Sequence, residues 1–78
     1  MLDVIFLTPK RVIFEGRAQS VVLPGEKGVC QILPFHKNFL SRILSGFVII
    51  GRDRFHVKRG IIRVDRNRVT IIAEEQES

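Results

Sequence analysis

Short β-branched segments alternate with turn residues in the stretch from Phe47 to Ala73, which reads FVIIGRDRFHVKRGIIRVDRNRVTIIA. Val and Ile pack well on a pleated strand, whereas helices favour Ala and unbranched side chains. Gly51-Arg52-Asp53-Arg54 is typical of a hairpin turn, and Asp65-Arg66-Asn67-Arg68 of a second turn. The stretch therefore predicts four short strands, over residues 47–50, 55–58, 61–64 and 69–73.

The rest of the chain also consists of short β-branched segments separated by turn residues. Val and Ile supply 19 of the 35 hydrophobic residues and Ala only two, and no stretch keeps a 3.6-residue period. Short extended segments are predicted over residues 2–7, 11–14, 19–23 and 29–33, and residues 39–44 form a further short segment after a loop. This pattern indicates one all-β domain, an antiparallel sandwich or small barrel of some eight short strands, over residues 1–74. We expect residues 75–78 to form a polar, frayed tail.

The length of 78 residues leaves a small core and a thin stability margin. The single Cys30 cannot form an internal disulfide, and His36 and His56 lack the spacing of a zinc site. Since these two ways of stabilising a small domain are excluded, a partner protein is expected. No apolar run approaches the ~20 residues of a membrane span, and the N-terminus does not resemble a secretory signal. The sequence predicts a soluble, intracellular domain.

Side chains suited to catalysis are sparse. The serines are scattered, and His56 lies between Phe55 and Val57, so that alternation places it on the outward face of a strand. No nucleophile elbow and no pair of carboxylates with contrasting environments occurs. We therefore expect no enzymatic activity, no metal and no cofactor.

Gly25-Glu26-Lys27-Gly28 has the G-x-x-G spacing of the KH clamp loop and the glycines and lysine of a phosphate-binding loop. It joins two β-branched segments, however, where a KH loop or a P-loop needs a helix. We interpret it as a tight turn between strands. Cys30, just beyond it, has no cationic neighbour in the sequence and is interpreted as a packed structural thiol.

Seven of the thirteen Lys and Arg residues lie between Arg52 and Arg68, in a chain whose formal charge is +5. Lys58 and Arg63 are predicted to face outward from strands. The other five basic residues of this region are predicted to lie in turns: Arg52, Arg54, Arg59, Arg66 and Arg68. Small β-barrels that bind nucleic acid usually present aromatic side chains on the binding face, whereas the strand phenylalanines here fit the inward face. A solvated surface accounts for most of the charge, and RNA binding by a small basic β-barrel remains the alternative function.

A series of landmarks occurs in fixed order over residues 2–74. They are Leu2-Asp3-Val4, Phe14-Glu15-Gly16, Val21-Val22-Leu23-Pro24-Gly25-Glu26-Lys27-Gly28, Ile32-Leu33-Pro34-Phe35-His36, Phe39-Leu40, Ile43, Gly46, Gly60-Ile61-Ile62-Arg63-Val64 and Val69-Thr70-Ile71-Ile72-Ala73-Glu74. This succession resembles the N-terminal β-sandwich domain of the epsilon subunit of F-type ATP synthases. That family has a G-x-x-G turn, then Ile-x-Pro-x-His-x-x-Leu-Leu, and closes with G-I-x-x-V and x-V-T-[VI]-[LI]-A-[DE].

The resemblance implies a flattened sandwich of ten strands and a non-catalytic role in the central stalk. The domain would dock the gamma subunit onto the membrane c-ring and couple ion-driven rotation to ATP synthesis. It would be peripheral to the cytoplasmic face of the membrane, without a transmembrane segment. The family's contacts with rotor partners gather at the G-x-x-G turn and the Pro-x-His segment. The matching positions here are Glu26, Lys27, Val29, Phe35, His36, Lys37 and Ser41.

The chain departs from this family pattern at several positions. Members commonly have an acidic residue where Val29 stands, Gly where Gln31 and Phe35 stand, and Pro at Asn38. A polar bridge to the ring is therefore not expected at Val29, and Phe35 is expected to supply apolar contact instead. The positive charge is also atypical and would complement acidic patches on gamma or anionic lipid headgroups. Longer members carry a C-terminal helical hairpin, and we expect neither that inhibitory arm nor an ATP site within these 78 residues.

Overall fold

The computed structural model describes residues 1–75, which form eight β-strands and no helix. The strands are β1 (Leu2–Leu7), β2 (Val12–Ala18), β3 (Val21–Gly25), β4 (Gly28–Ile32), β5 (Phe39–Ile43), β6 (Gly46–Ile50), β7 (Asp53–Asp65) and β8 (Arg68–Glu75). The all-β class is confirmed. The predicted polar tail begins at the last residue of β8, and its remainder, residues 76–78, lies outside the described residues.

One continuous sheet runs in the order β2-β1-β8-β7-β5-β3-β4, and β6 pairs with both β3 and β7. β1 and β8 run parallel, and the other pairs are antiparallel. Two-residue turns at Glu26-Lys27, Gly51-Arg52 and Arg66-Asn67 connect β3 to β4, β6 to β7 and β7 to β8. The three predicted hairpin turns are therefore confirmed.

β7 is a single 13-residue strand where the sequence pattern predicts two strands separated by Arg59-Gly60. Its pairing with β8 shifts register between Val57 and Arg59, which makes Lys58 the extra residue of a β-bulge. Before the bulge β7 pairs with β6, and after it with β5. The prediction of a break was wrong because the bulge lets one strand bend between two neighbours without ending.

The core lies between two layers that β7 joins. Phe55 precedes the bulge, and its ring meets those of Phe6 on β1 and Phe14 on β2 edge-on, at centroid distances of 5.4 and 6.2 Å. Neither β1 nor β2 pairs with β7, so these contacts are made across the sandwich and not along the sheet. The fully buried side chains of the described chain are all hydrophobic, and no polar side chain is buried with them.

Two predictions about side-chain placement need correction. Phe47 lies on β6 but faces outward, with 46% of its surface exposed, so the strand phenylalanines do not all point inward. Arg54 and Arg59 lie within β7, and Arg68 begins β8, instead of occupying turns. The bulge explains Arg59, because the extra residue lets two successive side chains, Lys58 and Arg59, both remain exposed.

Candidate docking surfaces

The first group of predicted docking residues surrounds the β3–β4 hairpin. Glu26 and Lys27 form its turn, and Val29 follows with 80% of its surface exposed. Ser41 of β5 lines the same open depression, of about 580 Å³. Gly28 closes the turn with a φ of 111°, a left-handed conformation that side chains other than Gly rarely adopt. Four of the seven predicted residues thus share one surface.

The second group lies in the loop between β4 and β5, which contacts the β7–β8 turn. The Phe35 amide donates to Oδ1 of Asn67 over 2.7 Å, and the Arg66 amide donates to Oδ1 of Asn38 over 2.8 Å. Each segment therefore supplies one side-chain acceptor to the backbone of the other. This reciprocal arrangement holds the loop in place although its side chains are mostly exposed.

His36 is oriented by its own loop. Its Nδ1 lies 2.7 Å from the carbonyl oxygen of Lys37, and its ring lies 5.1 Å from that of Phe39, between centroids. A carbonyl oxygen can only accept, so this contact requires the proton on Nδ1 and makes Nε2 the acceptor of the neutral ring. The half-buried imidazole therefore has a fixed orientation, in which Nε2 can accept a hydrogen bond.

Strand β5 connects the two groups. Phe39 contacts the ring of His36, and Ser41 lines the hairpin depression. Alternate residues of a strand face the same side and are separated by about 6.7 Å. The loop and the hairpin therefore both neighbour one short strand, and we call the two groups, with β5 between them, the docking end of the domain.

Phe35 has the most unusual conformation at this end. Its φ is 66°, in the left-handed region that disfavours side chains, and 90% of its surface is exposed. The strained backbone is not compensated by burial of the ring within the domain. Position 35 therefore presents a large apolar group outward at a cost in stability, which is a feature expected of a binding surface.

A second apolar surface was not predicted from the sequence. On the outward face, Val12 of β2 pairs with Leu7 of β1, Leu7 with Ile72 of β8, and Ile72 with Ile61 of β7. Half of the surface of Val12, Ile61 and Ile72 is exposed. We call these four residues the apolar row. Beside it, Leu44 and Pro9 help to line a depression of about 530 Å³.

The signal for the apolar row is present in the sequence as two pairs of adjacent isoleucines. Ile61-Ile62 and Ile71-Ile72 break the alternation of apolar and polar residues that a half-exposed strand shows. Ile62 and Ile71 enter the core, while their neighbours remain outside. Such doublets indicate a sheet whose second face is also apolar.

Within residues 1–75, no group of His, Cys, Asp and Glu side chains is arranged to hold a metal ion. His56 is exposed on β7, as alternation predicts, and Cys30 packs against the core. The described chain also has no helix that is long and apolar enough to cross a membrane.

The family of the chain follows from a match over its whole length. Residues 1–78 match the family described as "ATP synthase, Delta/Epsilon chain, beta-sandwich domain". The chain belongs to this family. The resemblance inferred from the order of the landmarks is thereby confirmed, as is the β-sandwich class.

Curated members of the family are moderately similar to the chain. The ATP synthase epsilon chain of Bordetella parapertussis is 40% identical over 78 residues, which cover 94% of this chain and 56% of that protein. The ATP synthase epsilon chain of Chlorobaculum tepidum is 32% identical over 79 residues, with 95% and 88% covered. The chain therefore spans little more than half the length of the Bordetella relative.

Solved structures share the fold at low sequence identity. A chain in the mitochondrial ATP synthase of Euglena gracilis superposes with a TM-score of 0.88 at 14% identity, over 95% of this chain and 51% of that chain. A chain in the central stalk and c-ring of the Tetrahymena thermophila enzyme gives 0.81 at 16% identity, over 95% and 63%. The fold is therefore shared with these chains although few residues are identical.

Proposed function

We propose that the chain is a non-catalytic rotor subunit of an F-type ATP synthase. It docks the gamma subunit onto the c-ring and so couples ion-driven rotation to ATP synthesis. Family membership supports this role, as does the likeness to chains in solved ATP synthase assemblies that include the c-ring or the central stalk. The subunit is peripheral to the cytoplasmic face of the membrane and is held there through the ring.

The observation that carries the proposal is the conformation of Phe35. A left-handed backbone that displays an exposed phenyl ring lowers the stability of the free domain. Covering such a ring with a partner contributes roughly 1.5–3 kcal/mol. The cost of the strained backbone is therefore offset when a partner covers the ring, and it is not offset in the isolated domain. This is the behaviour expected of a docking loop.

Two surfaces are needed to bridge two partners. The end of the domain presents Phe35, Val29 and the oriented His36, whereas the apolar row lies on the outward face of β2, β1, β8 and β7. The paired strands between these surfaces resist bending because their backbone groups are hydrogen-bonded. A rigid platform with two separate apolar surfaces is suited to transmit torque between gamma and the ring.

The proposal is tested by co-purification with gamma and the c-ring after joint expression. We expect His36→Ala and Lys37→Glu to lower the amount of chain recovered with the rotor several-fold, while both variants remain folded. Arg52→Glu makes the same charge change as Lys37→Glu in the β6–β7 turn, at the opposite end of β7 from the docking loop, and serves as the control, with recovery like that of the unaltered chain. Unchanged recovery of both loop variants would place the docking surface elsewhere.

A further inference from the structure

Basic side chains follow one another along the outward face of the first half of β7. Arg54, His56 and Lys58 are alternate residues and all are exposed. Alternation places Arg54 and His56 about 6.7 Å apart on the same face, and Lys58 follows at the bulge. With Phe47 of β6 they form what we call the basic stripe.

Phe47 holds two members of the basic stripe in place. It pairs directly with His56, and the two rings are stacked with centroids 4.6 Å apart and planes inclined by 23°. Cζ of Arg54 lies 4.6 Å from the centroid of the same phenyl ring. A cation held against an aromatic face loses less side-chain freedom when it binds an anion. The stripe is therefore preorganised and not merely charged.

The carboxylates of the described chain form no ion pair with the basic stripe. The ion pairs among residues 1–75 use Arg11, Arg17, Arg59 and Arg63, and none of them includes a member of the basic stripe. Asp53 adjoins Arg54 in sequence, but alternation along β7 places the two side chains on opposite faces of the strand. The positive charge of the stripe is therefore not neutralised from within residues 1–75.

We propose that the basic stripe binds an extended acidic segment of a partner protein. An extended chain places alternate side chains about 6.7 Å apart on one face, which equals the separation of Arg54 and His56 along β7. Carboxylates at alternate positions of the segment would each meet one basic group, and the Arg54 guanidinium can bind a carboxylate through two parallel hydrogen bonds. None of the seven predicted docking residues belongs to the stripe, so this inference does not depend on the rotor assignment.

The geometry favours an acidic peptide over nucleic acid. Proteins that bind single-stranded nucleic acid offer aromatic faces on which bases stack. Here the phenyl ring of Phe47 is already contacted by both His56 and Arg54. A base would have to displace one of these basic groups, whereas a carboxylate can bind them as they stand.

The test is a titration of the 78-residue chain, followed by NMR of its backbone amides, with a synthetic peptide of alternating Glu and Ser. We expect the amides of residues 47, 54, 56 and 58 to shift the most, and the affinity to fall as salt is raised. Arg54→Glu combined with Lys58→Glu should weaken binding at least tenfold. Arg17→Glu combined with Arg68→Glu makes the same charge change away from the stripe and should weaken it less than threefold.

Three results would overturn the proposal. One is the absence of shifts at the stripe with the acidic peptide. Another is an equal loss of affinity in the two double variants, which would indicate a response to net charge alone. The third is tighter binding at the stripe by a uridine oligonucleotide or by phosphatidylglycerol vesicles than by the peptide. A well-dispersed spectrum for each variant verifies that the fold is intact.

Discussion

Gly60 of β7 lies directly opposite Ala73 of β8, and a Cβ atom on Gly60 would lie 2.5 Å from Cβ and 2.7 Å from Cα of Ala73. Gly60 also pairs with Ile43 of β5, on the other side of β7. Three strands therefore meet at a point where only hydrogen fits. The close approach follows directly after the bulge, where β7 changes partners from β6 to β5.

The first prediction concerns this approach. Gly60→Ala should lower the free energy of unfolding by about 3 kcal/mol, because backbone and not a flexible side chain would have to move. Urea unfolding measures the change. Gly16→Ala is the control, since its new Cβ would meet Phe14 at 3.5 Å, an ordinary contact, and should cost less than about 1 kcal/mol. Equal losses for the two variants would contradict the geometry.

The second prediction uses adjacent isoleucines of β8. Ile71 is fully buried and Ile72 is half exposed. Ile71→Ala should lower the free energy of unfolding by about 2–5 kcal/mol, since it leaves a cavity between the layers. Ile72→Ala should lower it by less than about 1 kcal/mol. Comparable values, or the reverse order, would mean that the inward face of β8 has been misassigned.

The third prediction separates strain from contact at position 35. Phe35→Gly and Phe35→Ala both remove the phenyl ring, but only Gly accepts the left-handed φ without strain. Phe35→Gly should therefore be more stable than Phe35→Ala by about 1 kcal/mol. Both variants should bind the rotor more weakly than the unaltered chain. Equal stability in urea unfolding would contradict the strain, and unchanged rotor binding would contradict the docking role.

The fourth prediction tests the link between the docking loop and the β7–β8 turn. Asn67→Gly removes the acceptor of the Phe35 amide but tolerates the left-handed backbone of residue 67. The loss of one hydrogen bond, about 1 kcal/mol, should speed hydrogen exchange at that amide about fivefold. Asn67→Asp retains an acceptor oxygen and should exchange near the original rate. Equal exchange in the two variants would argue against the bond.

Much of the fold could be predicted from local sequence patterns. The prediction fails at particular residues, where the structure depends on contacts between distant parts of the chain. The hairpin turns carry Gly, Asp and Asn, whose backbone preferences are local, so their positions were predicted correctly. The bulge at Lys58 has no such signature, and it determines that Ile62 and not Ile61 enters the core. Counting alternate residues from 55 to 64 gives the wrong face for the residues after the bulge, because one extra residue exchanges the inward and outward positions of the strand.

The candidate site was predictable in part for a similar reason. The seven predicted docking residues came from family landmarks, and the structure places them in the β3–β4 hairpin, in the β4–β5 loop and on β5. The apolar row depends on pairing between distant strands, for example Leu7 with Ile72. The stacking of Phe47 on His56 likewise requires the register of β6 and β7, which no local pattern specifies.

Docking of this end of the domain on the rotor is tested most directly by site-specific crosslinking. Phe35 is replaced by p-benzoylphenylalanine in the chain assembled with gamma and the c-ring, and the complex is irradiated. We expect a light-dependent adduct with the gamma or the c subunit, and no rotor adduct from the same amino acid at the exposed position of Arg52 in the β6–β7 turn. Absence of a rotor adduct from position 35 in a complex that retains the chain would contradict it.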